Sequence, residues 1–505
     1  MSILSVDVGS SRCKAAIVNA GGGLLAVRAA GYPTHHPRPG FAELDSETLV
    51  GVIGSLCREL CAQITEPAEA VCFSSHGETF LPVDRHGRPL CPAILNTDTR
   101  AIAEAEWCEQ QLGRQKLFSL TGQICHAMYP VPKLLWLRRN AQEVFNAARR
   151  FLGVTDYLLF RLGLEPLIDY SHAARFFALD LRARAWSPDV LELVKLAPSS
   201  LSTPVQAGTI AGRLKGSAAA FLGVPEGVPV VVGGHDQVIS ALGMGVTNPR
   251  EAAGSLGTYE CVLVVSDEPH LNEAAQRASL NSYPHAIAGK YVTIAYFPAG
   301  IMMNWFHQLV YGTSEIESGA HLYSLEEEAP ETPTGLLVTP HLIGSCNPEF
   351  DSSAKGAIAG LTPDSNRGHL YRGILEGIAS EFALMTECLE SAGCAFDRIH
   401  ISGGGAKSRL GVALRAAFAN KPLHVMQTEE AVCLGGAILA SVAAGIHADI
   451  STATAAMVRE PKRICPDPLL REQYCKQLQD YRTFRSTQIQ RHPQQAQHQH
   501  TGEPH

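Results

Sequence analysis

Two short segments of this chain could do the same chemistry: Val8-Gly9-Ser10-Ser11-Arg12-Cys13 near the start, and Leu256-Gly257-Thr258-Tyr259-Glu260-Cys261 past the middle. In each, a glycine is followed by hydroxyl side chains between two apolar runs, which predicts a β-hairpin with a tight polar bend. Glycine lets backbone N–H groups approach an anion closely, and the hydroxyls add donors. Two such bends on facing domains could grip a polyphosphate from opposite sides. Taken singly, either bend also fits an ordinary hairpin turn. The pairing is what points to nucleotide-dependent phosphoryl transfer.

Transfer to an alcohol needs a carboxylate to take the hydroxyl proton, a metal to neutralise the phosphates, and donors around the moving group. Asp7, beside the Gly9-Ser10-Ser11 bend, can hold Mg²⁺ directly or through its waters. Asp236, in Gly233-Gly234-His235-Asp236-Gln237, follows the buried run Val228 to Val232 and opens a helical stretch. A strand-end carboxylate there would project into a cleft, with Gln237 orienting it or the substrate. Capping the helix is the competing use of an aspartate at such a position, and local sequence leaves the two open. The glycine-rich stretch from Ser402 to Ser408, between a strand and a helix, could seat a nucleotide at the helix N-terminus or be a plain loop.

The elements that must position these residues alternate along the chain, which predicts an α/β protein with mixed sheets. Residues 2–31 form an antiparallel meander, with Gly21-Gly22-Gly23 as its second turn. Residues 45–64, 99–113, 131–150 and 154–162 have helical spacing. Val71 to Ser74 and Phe80 to Val83 are strands, with a turn at residues 84–87. The buried strand Val228 to Val232 ends in a loop at Gly233-Gly234. The pattern restarts at Ala253, and Thr247-Asn248-Pro249 breaks the chain, so a boundary falls near 245–252. Two domains, 1–246 and 253–486, follow. Helices are expected over 366–393 and 407–419, with the strand Ile399 to Ser402 between them. The Gln/His/Pro-rich residues 487–505 lack apolar periodicity and are expected to be disordered.

Composition narrows the class. A chain of 505 residues is too long for one core, and 46% hydrophobic residues supply two. A formal net charge of −8 without long basic runs argues against nucleic acid. No stretch approaches the roughly 18 to 20 apolar residues of a membrane helix, and no secretory leader is evident. A cytoplasmic protein without a membrane partner is expected. The 14 cysteines show no C-x-x-C pair and no zinc spacing, so reduced thiols and no structural metal are expected.

A family resemblance spans residues 2 to about 486. Met128-Tyr129-Pro130-Val131-Pro132-Lys133-Leu134-Leu135-Trp136-Leu137-Arg138-Arg139-Asn140 resembles in full the first signature of the FGGY carbohydrate kinases. Gly356-Ala357-Ile358-Ala359-Gly360-Leu361, with His369-Leu370 and Glu376, resembles the second, with Gly373 standing where the family has Ala or Ser. Asp156-Tyr157, Asp169-Tyr170-Ser171, Gly208-Thr209 and Gly404-Gly405-Ala406-Lys407-Ser408 extend the match. The resemblance implies two actin-like, ribonuclease H-like ATPase domains with a catalytic cleft between them. It also implies transfer of the γ-phosphate of ATP, with Mg²⁺, to a hydroxyl of a small sugar or polyol. By that resemblance Asp236 is the general base and Asp7 organises Mg²⁺. Gly9, Ser10 and Ser11, with Lys14, resemble the first phosphate loop, and Gly257 with Thr258 the second. Gly300, Gly404, Gly405 and Ser408 resemble part of the nucleotide pocket.

The acceptor is read from Ser74-Ser75-His76-Gly77-Glu78-Thr79. Ketopentose kinases of the family tend to have Gln-Met-His-Gly here, and glycerol kinases Gln-Arg-Glu-Thr. This chain keeps the Glu-Thr half, with Gly77 in place of the arginine. Glu78 can accept two hydroxyl hydrogen bonds, as a polyol or a ketose such as xylulose needs. His76, Glu78, Asp236 and Gln237 are the expected acceptor contacts. Asn96 and Met128 replace aromatic residues and remove flat stacking surface for a sugar chain. A non-catalytic sugar or nucleotide sensor on the same fold is the alternative, but it would be expected to have lost Asp7 or Asp236. A chaperone-type ATPase would lack the acceptor segment. A homodimer is the candidate assembly.

Overall fold

The computed structural model describes residues 1–312 and 325–491. Two sheets of one design organise it. The first sheet has the expected meander, Ser2–Val8, Arg12–Asn19 and Leu24–Gly31; in the second the expected hairpin, Arg250–Leu256 and Tyr259–Ser266, is extended to a meander by Tyr291–Pro298. The leading strand of each meander then pairs in parallel with a later strand: Ser2–Val8 with Ala68–Ser75, and Arg250–Leu256 with Phe396–Ser402. A further parallel strand follows in each, Pro229–His235 and Leu423–Val425. Antiparallel edge strands complete six strands in the first sheet and seven in the second. This duplicated α/β plan is the two-domain actin-like architecture expected from the resemblance.

The central parallel strands are buried on both faces, so they read as continuous apolar runs rather than alternating ones. Pro229–His235 is buried throughout, and each fully buried valine in it contributes about 1.5–3 kcal/mol. The strand runs through Gly233-Gly234 instead of ending before them.

Where helices were expected, Ser46–Cys61, Ile102–Leu112, Val154–Arg161, Arg367–Ser391 and Arg409–Ala419 form. The apolar spacing over 131–150 does not make one helix. It breaks at Ala141 into Pro130–Asn140 and Gln142–Ala147, and Arg150 already belongs to a strand. The C-terminal helix Pro468–Arg491 runs past the expected boundary at 486, and residues 492–505 lie outside the described residues.

One element crosses between the halves. Helix Ala431–Ala443 lies late in the chain, yet it packs on strands Ser2–Val8 and Ala68–Ser75 and on helix Asp236–Gly243. The two helices meet backbone to backbone. A Cβ on Gly243 would lie 1.9 Å from the Ala431 carbonyl oxygen, and one on Gly435 would lie 1.9 Å from that of Ile239. Glycine at both positions is what permits this crossing.

Candidate active site

Three adjacent parallel strands of the first sheet end side by side. Asp7 is paired in register with Ser74, and Ser75 with His235. Asp7, the segment from His76 to Glu78, and Asp236 therefore share one edge, at the carboxyl ends of the strands, where ligands of open α/β sheets bind. A short helix, Tyr170–Arg175, braces that edge. Asp169 caps it by accepting from the N–H groups of Ser171 and His172. The Ser171 hydroxyl accepts the His235 N–H at 2.9 Å, and His172 Nε2 lies 3.0 Å from the Ser75 carbonyl. Burial works against charge on His172, but the Asp169 carboxylate outweighs it and holds the imidazole above its ordinary range.

Asp236 is the first residue of its helix. Among the described residues no side chain caps that helix at His235; the Asp236 carboxylate accepts from the adjacent Gln237 N–H at 2.6 Å and lies 3.5 Å from His235 Nε2. Both contacts fall on Oδ1, so one first-turn N–H is satisfied without occupying Oδ2. Its side chain stays 24% exposed at the cleft floor, yet protein encloses it. Burial, and then the nearby Glu78 charge, push its pKa up to about 6. Asp7 lies beside it, pushed up to about 8 by burial and then by Asp236, with Lys14 opposing. Asp7 Oδ1 is buried without a hydrogen-bond partner among the described residues. An orphaned hard oxygen beside a second carboxylate fits Mg²⁺, which takes one or two protein carboxylates and completes its shell with water and phosphate. Among the described residues no cluster of three or more ligating side chains occurs.

Lys14 stands directly across from Asp7 in the hairpin. Its Nζ donates to both oxygens of Glu430 at 2.9 Å, and Glu430 is the residue before the crossing helix Ala431–Ala443. Gln237 also reaches across: its Oε1 accepts from the Ser255 hydroxyl at 3.0 Å. Sequence reasoning assigned Gln237 to the acceptor; the structure has it joining the two sheet edges.

The second sheet ends in a different kind of surface. The Gly257-Thr258 bend receives two backbone bonds from the start of helix Gly300–Tyr311: Gly300 N–H to Gly257 O at 3.2 Å and Ala299 N–H to Thr258 O at 3.1 Å. Ser255 is paired with Ser402, which brings Gly404 and Gly405 to the same edge. Gly257, Thr258, Gly300, Gly404, Gly405 and Ser408 line one cavity of about 310 Å³, with Asn304 and Tyr371. The sequence missed its back wall. Arg415 donates there to both oxygens of Glu260, and each side chain is 3% exposed. The Ser408 hydroxyl caps helix Arg409–Ala419 at Gly411 N–H and donates to Glu326, so its role is to shape the loop.

The acceptor segment is more enclosed than its sequence suggests. Both ring nitrogens of His76 are engaged, at 2.9 Å from Val8 O and 2.7 Å from Thr79 Oγ1, so His76 ties two strand ends together. Glu78 is buried and paired with Arg175, whose Nη1 also donates to Gln123 Oε1 at 2.8 Å and Tyr129 Oη at 3.2 Å. Sequence reasoning missed Arg175. A lone charge in the run Ala173-Ala174-Arg175-Phe176-Phe177 was the available signal. Asn96 Oδ1 is buried without a partner among the described residues. An aromatic ring does reach Met128, supplied by the second half: the Tyr296 hydroxyl lies 3.9 Å from its sulfur. Lys133, from the first signature, is buried and donates to the carbonyls of Leu95 and Met128 at 2.6 Å each, and burial pushes it down to about 7. Glu376, from the second signature, bonds Thr334, Arg372 and Tyr474 in the core. The two signatures thus contain structural struts.

Residues 2–243 match the N-terminal domain model of the FGGY family of carbohydrate kinases, and residues 252–444 the C-terminal one. A gluconokinase of Bacillus subtilis is 25% identical over 458 residues, covering 88% of each chain. A xylulose kinase of Lactococcus lactis is 26% identical over 465 residues, covering 90% of each. Among solved structures, a gluconate kinase from Lactobacillus acidophilus superposes with a TM-score of 0.88 at 24% identity, over 98% of this chain and 99% of that one.

Proposed function

The chain belongs to the FGGY family of carbohydrate kinases and phosphorylates a small carbohydrate with ATP as donor; we propose that the acceptor is an uncharged ketose such as xylulose, or a polyol. The observation that carries this reading is the charge of the acceptor side. Arg175 is neutralised by Glu78 and Lys14 by Glu430, while Asp7 and Asp236 add negative charge. Lys133, the other cation nearby, is held by the Leu95 and Met128 carbonyls and pushed down to about 7 by burial, so none of these cations is left to hold a sugar acid. That favours the xylulose kinases over the gluconokinases among the relatives. Retention of both Asp7 and Asp236 argues against a non-catalytic sensor.

In the mechanism proposed, Asp236 accepts the proton of the attacking hydroxyl. A base poised near 6 is ionised at neutral pH yet still basic enough to take that proton. His235, held well below its ordinary range by burial and then by Arg175, stays neutral beside it. Asp7 would hold Mg²⁺, which when bound neutralises charge on the phosphates. Gly257, Thr258, Gly404 and Gly405 would seat the nucleotide, with backbone amides close to phosphate oxygens. Lys14 would turn from Glu430 toward the phosphates.

ADP release over a panel of ketoses, polyols and gluconate tests the acceptor. Strong stimulation by one uncharged compound is expected. Stimulation by gluconate alone would contradict the reading.

A further inference from the structure

The Arg175 side chain packs closely against the backbone of Gly77. A Cβ on Gly77 would lie 2.8 Å from His235 Cδ2 and 3.2 Å from Cβ and Cγ of Arg175. The arginine therefore runs over bare backbone, and the missing side chain at Gly77 is what seats it. Glu78, the next residue, has a φ of +60°, a conformation that costs a non-glycine residue on the order of 1 kcal/mol and persists only where surroundings enforce it. In this conformation its carboxylate is paired with Arg175.

The guanidinium is held on several sides. Nε donates to Glu78 and Nη1 to Gln123 and Tyr129. Its central carbon lies 5.0 Å from the Tyr129 ring centre and 5.4 Å from that of Tyr283. These bonds leave Nη2, and Oε2 of Glu78, without a protein partner among the described residues. Tyr283 comes from the other half, on strand Asn281–Pro284, and its buried hydroxyl has no partner either. The ring lies 5.8 Å from that of His235, the neighbour of Asp236. An unsatisfied buried hydroxyl costs about 1–3 kcal/mol, and a polar ligand entering between the halves would relieve it.

We propose that Arg175, seated by Gly77 and clamped to Glu78, is a specificity-determining residue for the acceptor. The pair presents a donor edge, Nη2, beside an acceptor edge, Oε2. That fits neighbouring oxygens of an uncharged ketose, one accepting from arginine and one donating to the carboxylate. The planar guanidinium can hold Glu78, Gln123 and Tyr129 and still aim Nη2 at the acceptor, which a single ammonium group cannot do. A site built to hydrogen-bond a substrate oxygen discriminates strongly, because its own buried groups go unpaired when that oxygen is missing. The inference rests on the uncharged-acceptor reading above.

The test is steady-state kinetics on the full chain with the stimulating ketose and ATP varied in turn, for wild type, Arg175→Lys, and the double variant Arg175→Met/Glu78→Gln. The double variant leaves no lone buried charge, so loss of folding does not mask the answer. Arg175→Lys is expected to raise the ketose KM about 10-fold and the double variant roughly 10- to 100-fold. The KM for ATP should stay within about 2-fold in both, because the contact is made to the acceptor alone. A double variant with altered melting temperature but unchanged ketose KM would overturn the proposal and leave the pair a structural strut. If wild type turns over gluconate and no uncharged sugar, the acceptor reading fails first and the inference falls with it.

Discussion

At the end of its first strand the N-terminal sheet carries Asp7 ahead of Gly9-Ser10-Ser11, and at the same place the C-terminal sheet carries Ser255 ahead of Gly257-Thr258. After the last parallel strand the first sheet opens a helix with Asp236, while the second continues into Met426-Gln427. The strand plan is the same, but the carboxylates differ in state: Asp7 and Asp236 stand on the first edge without a paired cation among the described residues, whereas Glu260 on the second is neutralised by Arg415. The second edge keeps glycines at its bends, at the mouth of a cavity of about 310 Å³. Concentrating carboxylates raises their pKa values and prepares one edge to take a proton and hold a cation. Leaving glycine on the other lets backbone amides approach an anion. The duplication teaches that the fold supplies strand ends, and that side-chain choice at those ends divides the labour.

If that division is right, damage to each edge should have its own signature. The largest expected effect is Asp7→Ala, which should lower turnover by roughly 10³-fold and weaken its Mg²⁺ dependence, since metal charge stabilisation is worth several kcal/mol. Titrating Mg²⁺ against initial rate checks this, and a variant with unchanged Mg²⁺ response would blur the two edges. Gly300→Ala attacks the other side. Its new Cβ would lie 2.4 Å from the Gly257 carbonyl oxygen, so the bend and the helix must separate. About a 10-fold rise in the KM for ATP, with the sugar KM unchanged, is expected, alongside roughly 1–3 kcal/mol of lost stability.

A smaller effect concerns stability itself. Asp236 and Asp7 are raised to about 6 and about 8, so the folded state binds protons that the unfolded chain has already released. Their contribution is full below the ordinary carboxylate range and is lost as pH rises through about 6 and then about 8. Melting temperatures of ligand-free wild type should therefore fall relative to Asp7→Asn between pH 5 and 8, by a few degrees at most. A constant difference across that range would show that Asp7 is not strained by its neighbours.

Much of this was legible in the sequence because it is local. A glycine and hydroxyls between apolar runs specify a hairpin, and both hairpins form where expected. What failed has physical causes. Gly233-Gly234 looks like a loop, but a Cβ on Gly233 would lie 2.3 Å from Phe73 O, so the glycine serves close packing inside a strand. The run over 131–150 keeps apolar spacing across Ala141, where φ of −140° and ψ of 55° end the helix. The expected helix start at Lys407 falls in a 3-10 turn, and the α-helix begins at Arg409. Partners far apart in sequence were invisible: Arg175 meets Glu78 across 97 positions, and Arg415 meets Glu260 across 155. The resemblance groups Lys14 with the first phosphate loop, and nothing in the sequence shows its ion pair with Glu430, 416 positions away.

The central claim is that the acidic edge does the proton transfer, and the pH dependence of kcat/KM for the acceptor at saturating MgATP tests it most directly. Wild type should show an acid limb with an apparent pKa near 6, the value to which burial and Glu78 raise Asp236. Asp236→Asn should lose that limb, and its rate at neutral pH should fall by about 10²- to 10⁴-fold, with ATP binding intact. An acid limb that persists in Asp236→Asn, or a variant that keeps most of its rate, would contradict the account.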